Sequence, residues 1–436
     1  MQFKIHRGAS EIGGSCVEIW TETTHVVIDF GMPLVNPDKT KFDSSILTKL
    51  SKEDLIAQGV LPDIPGLYGM KSEKEFALVL SHAHQDHYGL ASYIGSNCKF
   101  YLGGATHQLI ELTNIFTNQI WSITNFHHFF REQPFLIGDI EITPWLMDHS
   151  AFDSYAFLIK SNGKSLFYSG DFRDHGRNAP AFESVINTVE KEVDFLLLEG
   201  TTIGRTNGKF LPESAIEEQL ITLFRKNTGI NLIYTSGQNI DRLISIYHAC
   251  KETNKIMAID FYLANVLTEL AFYDDVPFPS LKYPEIRVFY PYRLSLMIRR
   301  KGMLELLYKV RGRKITRKEI NDNAENMVMI VRPTMRSDLE LITNINGGTF
   351  IYSMWEGYLQ EGKTLDFIEY LSNRGLTELH LHTSGHADVE TLRRLVDALR
   401  PKNLVPIHTF EADAYKKIFT NVNVLQVKDK EIVEIL

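Results

Sequence analysis

Apolar and polar positions change their rhythm twice along this chain. Up to about residue 200, short β-rich runs dominate, such as Val17-Glu-Ile-Trp-Thr and His25-Val-Val-Ile-Asp-Phe, with Gly8, Gly13 and Gly14 supplying turns around them. Phe76-Ala-Leu-Val-Leu is apolar throughout, the pattern of a strand covered on both faces. Further strands are expected at 140–143, 155–159, 165–168 and 194–198. From about Glu213 strands and helices alternate: a helix over 214–225, a strand over 231–235, and a helix over 239–250 with Ile240, Leu243, Ile244 and Tyr247 on one face. The chain then returns to strand–helix–strand at 378–382, 389–399 and 404–407. The pattern predicts one α/β domain, made of residues 1–207 and 376–436, with a second α/β domain inserted over 208–375.

Composition narrows the class. With 436 residues, 44 % hydrophobic and 23 % charged, the chain can bury sizeable cores, and a disordered or collagen-like protein is excluded. Cys16, Cys98 and Cys250 are far apart and odd in number, which argues for a reducing compartment rather than a disulfide scaffold. No signal peptide and no membrane span of about 18 apolar residues is read, so a soluble cytoplasmic protein without membrane contact is expected. A net charge of −8 means that nucleic-acid binding needs a local basic face. Residues 299–318, with nine basic side chains and one acidic, offer one, although a solvated helix and loop would read the same way.

The sharpest chemical signal is His82-Ala-His84-Gln-Asp86-His87 at the end of a buried strand. Residues two apart on an extended chain point the same way, so His82 and His84 can reach one ion. The turn that follows can deliver Asp86 and His87 to a neighbouring ion. Imidazoles and carboxylates are ligands that zinc takes at about 2.0–2.2 Å.

This HxHxDH motif resembles the metallo-β-lactamase superfamily. The resemblance implies a third histidine after a later strand, matched by Trp145-Leu-Met-Asp-His149. It implies a bridging carboxylate, matched by Leu166-Phe-Tyr-Ser-Gly-Asp171, and a late histidine, matched by Leu404-Val-Pro-Ile-His408. Glu11-Ile-Gly-Gly-Ser and Val27-Ile-Asp29-Phe-Gly31 also look like the superfamily's first hairpin. The fold implied is an αββα sandwich. One ion would sit on His82, His84 and His149, a second on Asp86, His87 and His408, with Asp171 bridging them. Two zinc ions about 3.5–4 Å apart, which manganese could replace, can share a hydroxide and stabilise attacking and leaving oxygens. Such a site suits phosphodiesters, thioesters or amides. Diiron redox relatives carry Glu where this chain has His84, so that branch is set aside.

Leu381-His382-Thr-Ser384-Gly385-His386-Ala387, followed by Pro401 to His408, is similar to the β-CASP branch and its ribonuclease J family. Tyr234-Thr-Ser-Gly-Gln-Asn-Ile-Asp-Arg242 resembles the start of that branch's inserted β-CASP cap. The resemblance implies a dinuclear-metal nuclease working in a groove between the domains, cutting single-stranded RNA as an exo- or endonuclease. Asp86, His386 and Glu199 are the catalytic candidates, matching family motifs where motif A is Glu199, motif B His386 and motif C His408. His386 with Ser384 and Gly385 would hold the scissile phosphate or move a proton. Glu199 would best serve by accepting a hydrogen bond from a liganding imidazole. In this family a motif C histidine accompanies RNA substrates. A DNA nuclease of the same family and a non-catalytic RNA-processing subunit are the alternatives. Ribonuclease J has a further C-terminal assembly domain, so its dimer is not carried over and the oligomeric state stays open. Gly200-Thr201-Thr202 after Glu199 departs from the usual Ser-Thr context, so the surroundings of the ligands are expected to differ in detail.

Weaker candidates complete the list of site residues. Ser236 and Gly237 precede a helix whose N-terminus could take a phosphate, or form a plain turn. Ser353, with Trp355 and Tyr358, could face substrate and stack bases, with core packing the preferred role. Arg173 and His175 could line the site or brace the ligand loop, and His127-His128 is left outside it.

Overall fold

The computed structural model describes residues 1–436 apart from 37, 70–74, 118, 120, 206, 207 and 361. The chain forms two compact units. One comprises Met1–Asn114, Gln119–Lys209 and Gly385–Leu436; the other comprises Ile115–Asn118 and Phe210–Ser384.

The first unit is built on two seven-stranded sheets. In the first, the strands Ile432–Glu434, Gln2–Arg7, Cys16–Trp20 and Thr24–Ile28 pair antiparallel, and Glu75–Val79, Lys99–Leu102 and Phe126–His128 continue in parallel. The second runs Asn423–Val424, Asn403–Ile407, Phe195–Glu199, Lys164–Tyr168, Tyr155–Ser161, Ile140–Leu146, Phe135–Ile137. Its first four strands are parallel and the remainder antiparallel. Side chains alternate across a strand, so one core forms between the sheets. Phe3, Ile5, Val17, Val26 and Val79 from one sheet meet Phe157, Ile159, Leu166, Leu197 and Val405 from the other. The opposite face of the second sheet offers Trp145, Leu158, Phe167, Leu196 and Leu198 to the helices Ala179–Thr188 and Val389–Leu399, which bury Phe182, Val185, Leu392 and Leu395 there. This is why Phe195 to Leu198 is an unbroken apolar run: its two faces serve two cores. The unit is an αββα sandwich, as the sequence leads one to expect.

The second unit carries a six-stranded, all-parallel sheet in the order Ile286–Phe289, Ile256–Asp260, Met327–Ile330, Asn231–Tyr234, Thr349–Tyr352, Thr377–His380. Its core contains Leu232, Ala258, Met329, Phe350 and Tyr352. The helices Glu213–Lys226 and Ile240–Glu252 pack on each other.

One element lies elsewhere than its sequence suggests. The strand near 378–382, read as part of the returning first domain, is Thr377–His380 and pairs with Thr349–Tyr352 at the edge of the second unit's sheet. The chain therefore stays in that unit until Ser384 rather than leaving it at 375. The three cysteines are buried and unpaired. Among the described residues no helix is long and apolar enough to cross a membrane.

Candidate metal centre

Most of the chemistry-bearing side chains of the first unit follow directly on the C-terminal ends of its strands. His82 and His84 come after Glu75–Val79, His149 after Ile140–Leu146, Asp171 after Lys164–Tyr168 and His408 after Asn403–Ile407; Glu199 is the last residue of its strand. The tight turn at 84–87 is braced by the opening hairpin. Ser15 N–H donates to Asp86 O at 3.0 Å, Met32 N–H to Gln85 O at 2.9 Å and Phe30 N–H to His87 O at 2.7 Å. A Cβ on Gly31 would lie 1.7 Å from Asp86 O, so only glycine allows the two backbones to close on each other.

The candidate ligand atoms converge in two adjoining groups. Those of His82, His84 and His149 lie within 4.8 Å of one another, and so do those of Asp86, His87, Asp171 and His408. The three imidazoles of the first group stand edge to face, with centroids 4.8, 4.9 and 5.0 Å apart. Two of them, His149 and His82, direct a proton outwards. His149 Nδ1–H donates to Gly385 O at 2.6 Å, which leaves Nε2 bare, 3.2 Å from His84 Nδ1. Ser81 Oγ donates to Asp29 at 2.7 Å and can then accept from His82 Nδ1–H at 3.0 Å. His82 Nε2 is left buried without a hydrogen-bond partner. Two nitrogens on one tetrahedral zinc ion would stand about 3.3 Å apart, so the donors present fit a cation.

In the second group His87 Nδ1–H donates to Asp29 Oδ2 at 2.7 Å while Nε2 lies 3.1 Å from Asp171 Oδ2. His408 Nε2 lies 3.4 Å from Asp86 Oδ2, and its Nδ1 is 2.9 Å from Thr201 Oγ1 and 3.7 Å from Asp171 Oδ1. Asp171 thus stands against both second-group histidines and within 4.0 Å of His82 Nε2, the position a bridging carboxylate requires.

Burial and neighbouring charge set the protonation. Burial, reinforced by the facing imidazoles, pushes His82 and His149 well below the usual histidine range; burial takes His84 to about 4. These rings are neutral at pH 7 and present lone pairs. Burial would also lower His87, but Asp171 and Asp29 hold it well above its ordinary value. Burial would raise Asp171, yet His408, His87 and His386 keep it far below the usual carboxylate range.

Glu199, Asp171, His386 and His408 form a further cluster. His386 Nδ1 is 3.4 Å from Glu199 Oε1 and 3.8 Å from Asp171 Oδ2, and its side chain keeps 22 % exposure, whereas His82, His87, His149 and His408 are buried. Burial works against its proton, but Glu199 and Asp171 prevail and raise its pKa. Glu199 therefore faces His386, while Thr201, whose N–H donates to Glu199 Oε2 at 2.9 Å, takes the place beside His408.

Other sequence candidates have internal work. Gly385 supplies the carbonyl for His149, and Ser384 closes the second unit. Ser353 is buried and spends its hydroxyl on Leu381 O at 2.6 Å and on Arg242. Ser236 accepts from Gln238 N–H at 3.3 Å, and a Cβ on Gly237 would meet Leu263 at 2.7 Å; the helix that follows is capped by Asn239. These are the contacts of a turn. Trp355 and Tyr358 are exposed instead of packing in the core. Arg173 is fully buried; its Nε–H reaches Asp148 Oδ1 at 3.4 Å and its N–H donates to Asp148 O at 2.7 Å, so it braces the loop bearing His149. Asp29 as the orienting partner of His87 and Ser81 escaped the sequence reading. Its backbone is left-handed, φ 59°.

Comparison with known proteins shows what the chain resembles. Residues 54–220 match the family model of the beta-lactamase superfamily domain, and residues 379–419 match that of the Zn-dependent metallo-hydrolase RNA specificity domain. The chain is 26 % identical over 424 residues to ribonuclease J of Helicobacter pylori, covering 92 % of this chain and 55 % of that protein. It is 22 % identical over 419 residues to ribonuclease J of Mycoplasma genitalium, covering 92 % and 66 %, and 22 % identical over 422 residues to that of Pyrococcus abyssi, covering 92 % and 88 %. The chain thus spans about half the length of the Helicobacter relative. A crystal structure of a protein of unknown function from Enterococcus faecalis superposes with a TM-score of 0.78 at 20 % identity, covering 99 % of each chain.

Proposed function

We propose that this chain, a member of the metallo-β-lactamase superfamily of the β-CASP, ribonuclease J-like kind, is a dinuclear-metal phosphodiesterase that hydrolyses single-stranded RNA. The observation that carries the reading is the cluster of His82, His84 and His149 beside that of Asp86, His87, Asp171 and His408, with Asp171 Oδ2 4.0 Å from the buried His82 Nε2, which has no hydrogen-bond partner. His82, His84 and His149 would hold one divalent cation, zinc or manganese, and Asp86, His87 and His408 the other. Two such ions, when bound, supply Lewis-acid activation of water and charge neutralisation at a phosphate.

The remaining chemistry falls to side chains. Glu199 and Asp171 favour the protonated form of His386, whose side chain keeps 22 % exposure, so it would donate to a non-bridging phosphate oxygen or to the departing oxygen. Glu199 acts as its positioning partner, fixed in turn by Thr201 N–H. Ser384 and Gly385 lie beside it in the chain, and Gly385 O keeps His149 in the tautomer a cation needs. The similarity to ribonuclease J and to the RNA specificity domain supports RNA over other phosphodiesters.

The test uses 5′-monophosphorylated, end-labelled single-stranded RNA beside the same sequence as DNA, with and without chelator, and with Asp86→Ala. Metal-dependent cleavage of RNA that the substitution abolishes is the expected result. Mononucleotides would identify an exonuclease acting from the 5′ end; discrete internal fragments would identify an endonuclease. Intact RNA in the presence of close to two bound metals per chain would reject the reading.

A further inference from the structure

The basic side chains between Arg293 and Lys318 in the second unit fall into two groups. Some are committed within the unit. Lys309 pairs with Glu269, Lys318 with Asp322 and Arg317 with Asp338 at 2.6 Å; Lys301 Nζ donates to Ile115 O at 2.6 Å and Arg313 to Pro284 O. The others, Arg293, Arg299, Arg300, Arg311 and Lys314, are exposed and have no acidic partner among the described residues. They belong to neighbouring elements. The helix Tyr292–Arg300 packs against Glu305–Tyr308, which leads into the turn Arg311–Arg313, and Tyr290 Oη donates to Leu307 O at 2.8 Å.

Aromatic rings are interleaved with these cations. Arg311 lies 5.5 Å from the centre of the Tyr308 ring and Lys314 5.6 Å from that of Tyr290. Tyr308 is 56 % exposed and Tyr292 64 %. Five unpaired like charges repel one another, and this chain has 54 acidic residues from which partners could have been drawn. A polyanion relieves that repulsion. Exposed tyrosine faces give it a second handle if it also carries planar bases, which an acidic polypeptide lacks.

We propose that this face is a binding track for single-stranded RNA, with Arg299, Arg300 and Arg311 neutralising phosphates and Tyr292 and Tyr308 stacking on bases. The proposal rests on RNA being the substrate and names a surface whose side chains are not among the metal ligands. Its role is to retain long substrates, leaving the hydrolytic step to the metal centre.

The experiment measures binding of a fluorescent 30-nucleotide phosphorothioate RNA to the metal-loaded full chain by anisotropy across a salt series. In Arg299→Gln/Arg300→Gln/Arg311→Gln the expected loss is about tenfold or more at 0.1 M salt. The slope of log affinity against log salt falls by about 2, three contacts at about 0.7 each. Tyr292→Ala/Tyr308→Ala weakens binding about fivefold or more, the size of a lost stacking contact. An unchanged melting temperature shows that the variants fold. RNA binding by the wild type that none of these changes affects, or no RNA binding at all, overturns the proposal. Equal competition by polyglutamate and RNA of matched charge also overturns it in favour of an acidic protein partner. Hydrolysis of bis(p-nitrophenyl) phosphate, read in parallel, is expected to stay unchanged in both variants. Variant-sensitive RNA binding without any hydrolysis would support the track while rejecting the catalytic reading.

Discussion

An imidazole that is to hold a cation must have its proton fixed on the other nitrogen, and that is done here by single acceptors. Asp29 fixes His87 directly and His82 through Ser81, as Gly385 O fixes His149. Such partners are worth about 10–100-fold in metal affinity. Asp29→Asn is therefore expected to weaken metal binding by about that factor in a competition titration with a chelating dye, at an unchanged helix and sheet content; wild-type affinity would show that Asp29 does not orient the ligands. The second unit holds a comparable one-residue dependence. Arg242 is fully buried, donating to both carboxylate oxygens of Glu213 at 2.6 and 3.2 Å and to Leu381 O at 3.2 Å. Glu213→Gln strands a buried cation and is expected to cost about 3–5 kcal/mol, read as a lower urea midpoint at constant slope. Loss below about 1 kcal/mol would mean that the guanidinium finds another partner. The candidate donors His82 to His87 stand out in the sequence because they are neighbours in it. Asp29 does not, since it acts on a residue 58 positions away and nothing in its own segment names that partner.

At the scale of elements, the donor turn depends on its contact with the opening hairpin. Gly31→Ala places a methyl group on Asp86 O, a backbone atom that cannot swing aside. The 84–87 turn must move, so metal stoichiometry is expected to fall while both sheets persist; retention of wild-type metal content would mean that the hairpin yields instead. The first sheet also contains a charge cluster spanning three strands. Glu18 lies between His6 at 2.9 Å and His25 at 2.7 Å. Burial would raise its pKa, but hydrogen bonds from His25 and His6 bring it down to about 2 from 4.5. A carboxylate depressed in the folded state contributes stability above about pH 4.5 that disappears as the pH falls towards 2, here on the order of 3 kcal/mol. Glu18→Gln is expected to flatten that limb of the stability–pH curve, measured by urea unfolding at each pH. A limb unchanged by the substitution would assign the acid sensitivity to other carboxylates. The sequence pattern located Cys16–Trp20, Thr24–Ile28 and Glu75–Val79 of this sheet but not Gln2–Arg7, Lys99–Leu102, Phe126–His128 or Ile432–Glu434, and it could not assign strands to sheets. Thr377–His380 is polar and largely exposed because it is an edge strand, and an edge strand's own pattern does not reveal which neighbour it joins.

For the molecule as a whole, the nested order was legible because the change from strand-rich to alternating pattern marks a change of architecture. The candidate metal-binding residues reflect that nesting. His82 and His408 are 326 positions apart, yet both serve the first unit, whose second sheet is completed by Asn403–Ile407 and whose first sheet gains Ile432–Glu434. Bringing such distant segments together costs chain entropy, and a cation held by both draws its binding free energy only in the folded unit. Free metal at a thousandfold excess over its dissociation constant would stabilise that unit by about 4 kcal/mol. The second unit has its own core and, among the described residues, contributes none of the clustered candidate donors. Calorimetry is therefore expected to show two transitions, of which chelation lowers one by several degrees and leaves the other in place. Fluorescence of Trp145, buried in the first unit's core, should follow the transition that moves. If chelation shifts both transitions equally, the two units unfold as one cooperative block; if it shifts neither, the clustered histidines and carboxylates hold no metal that matters to the fold.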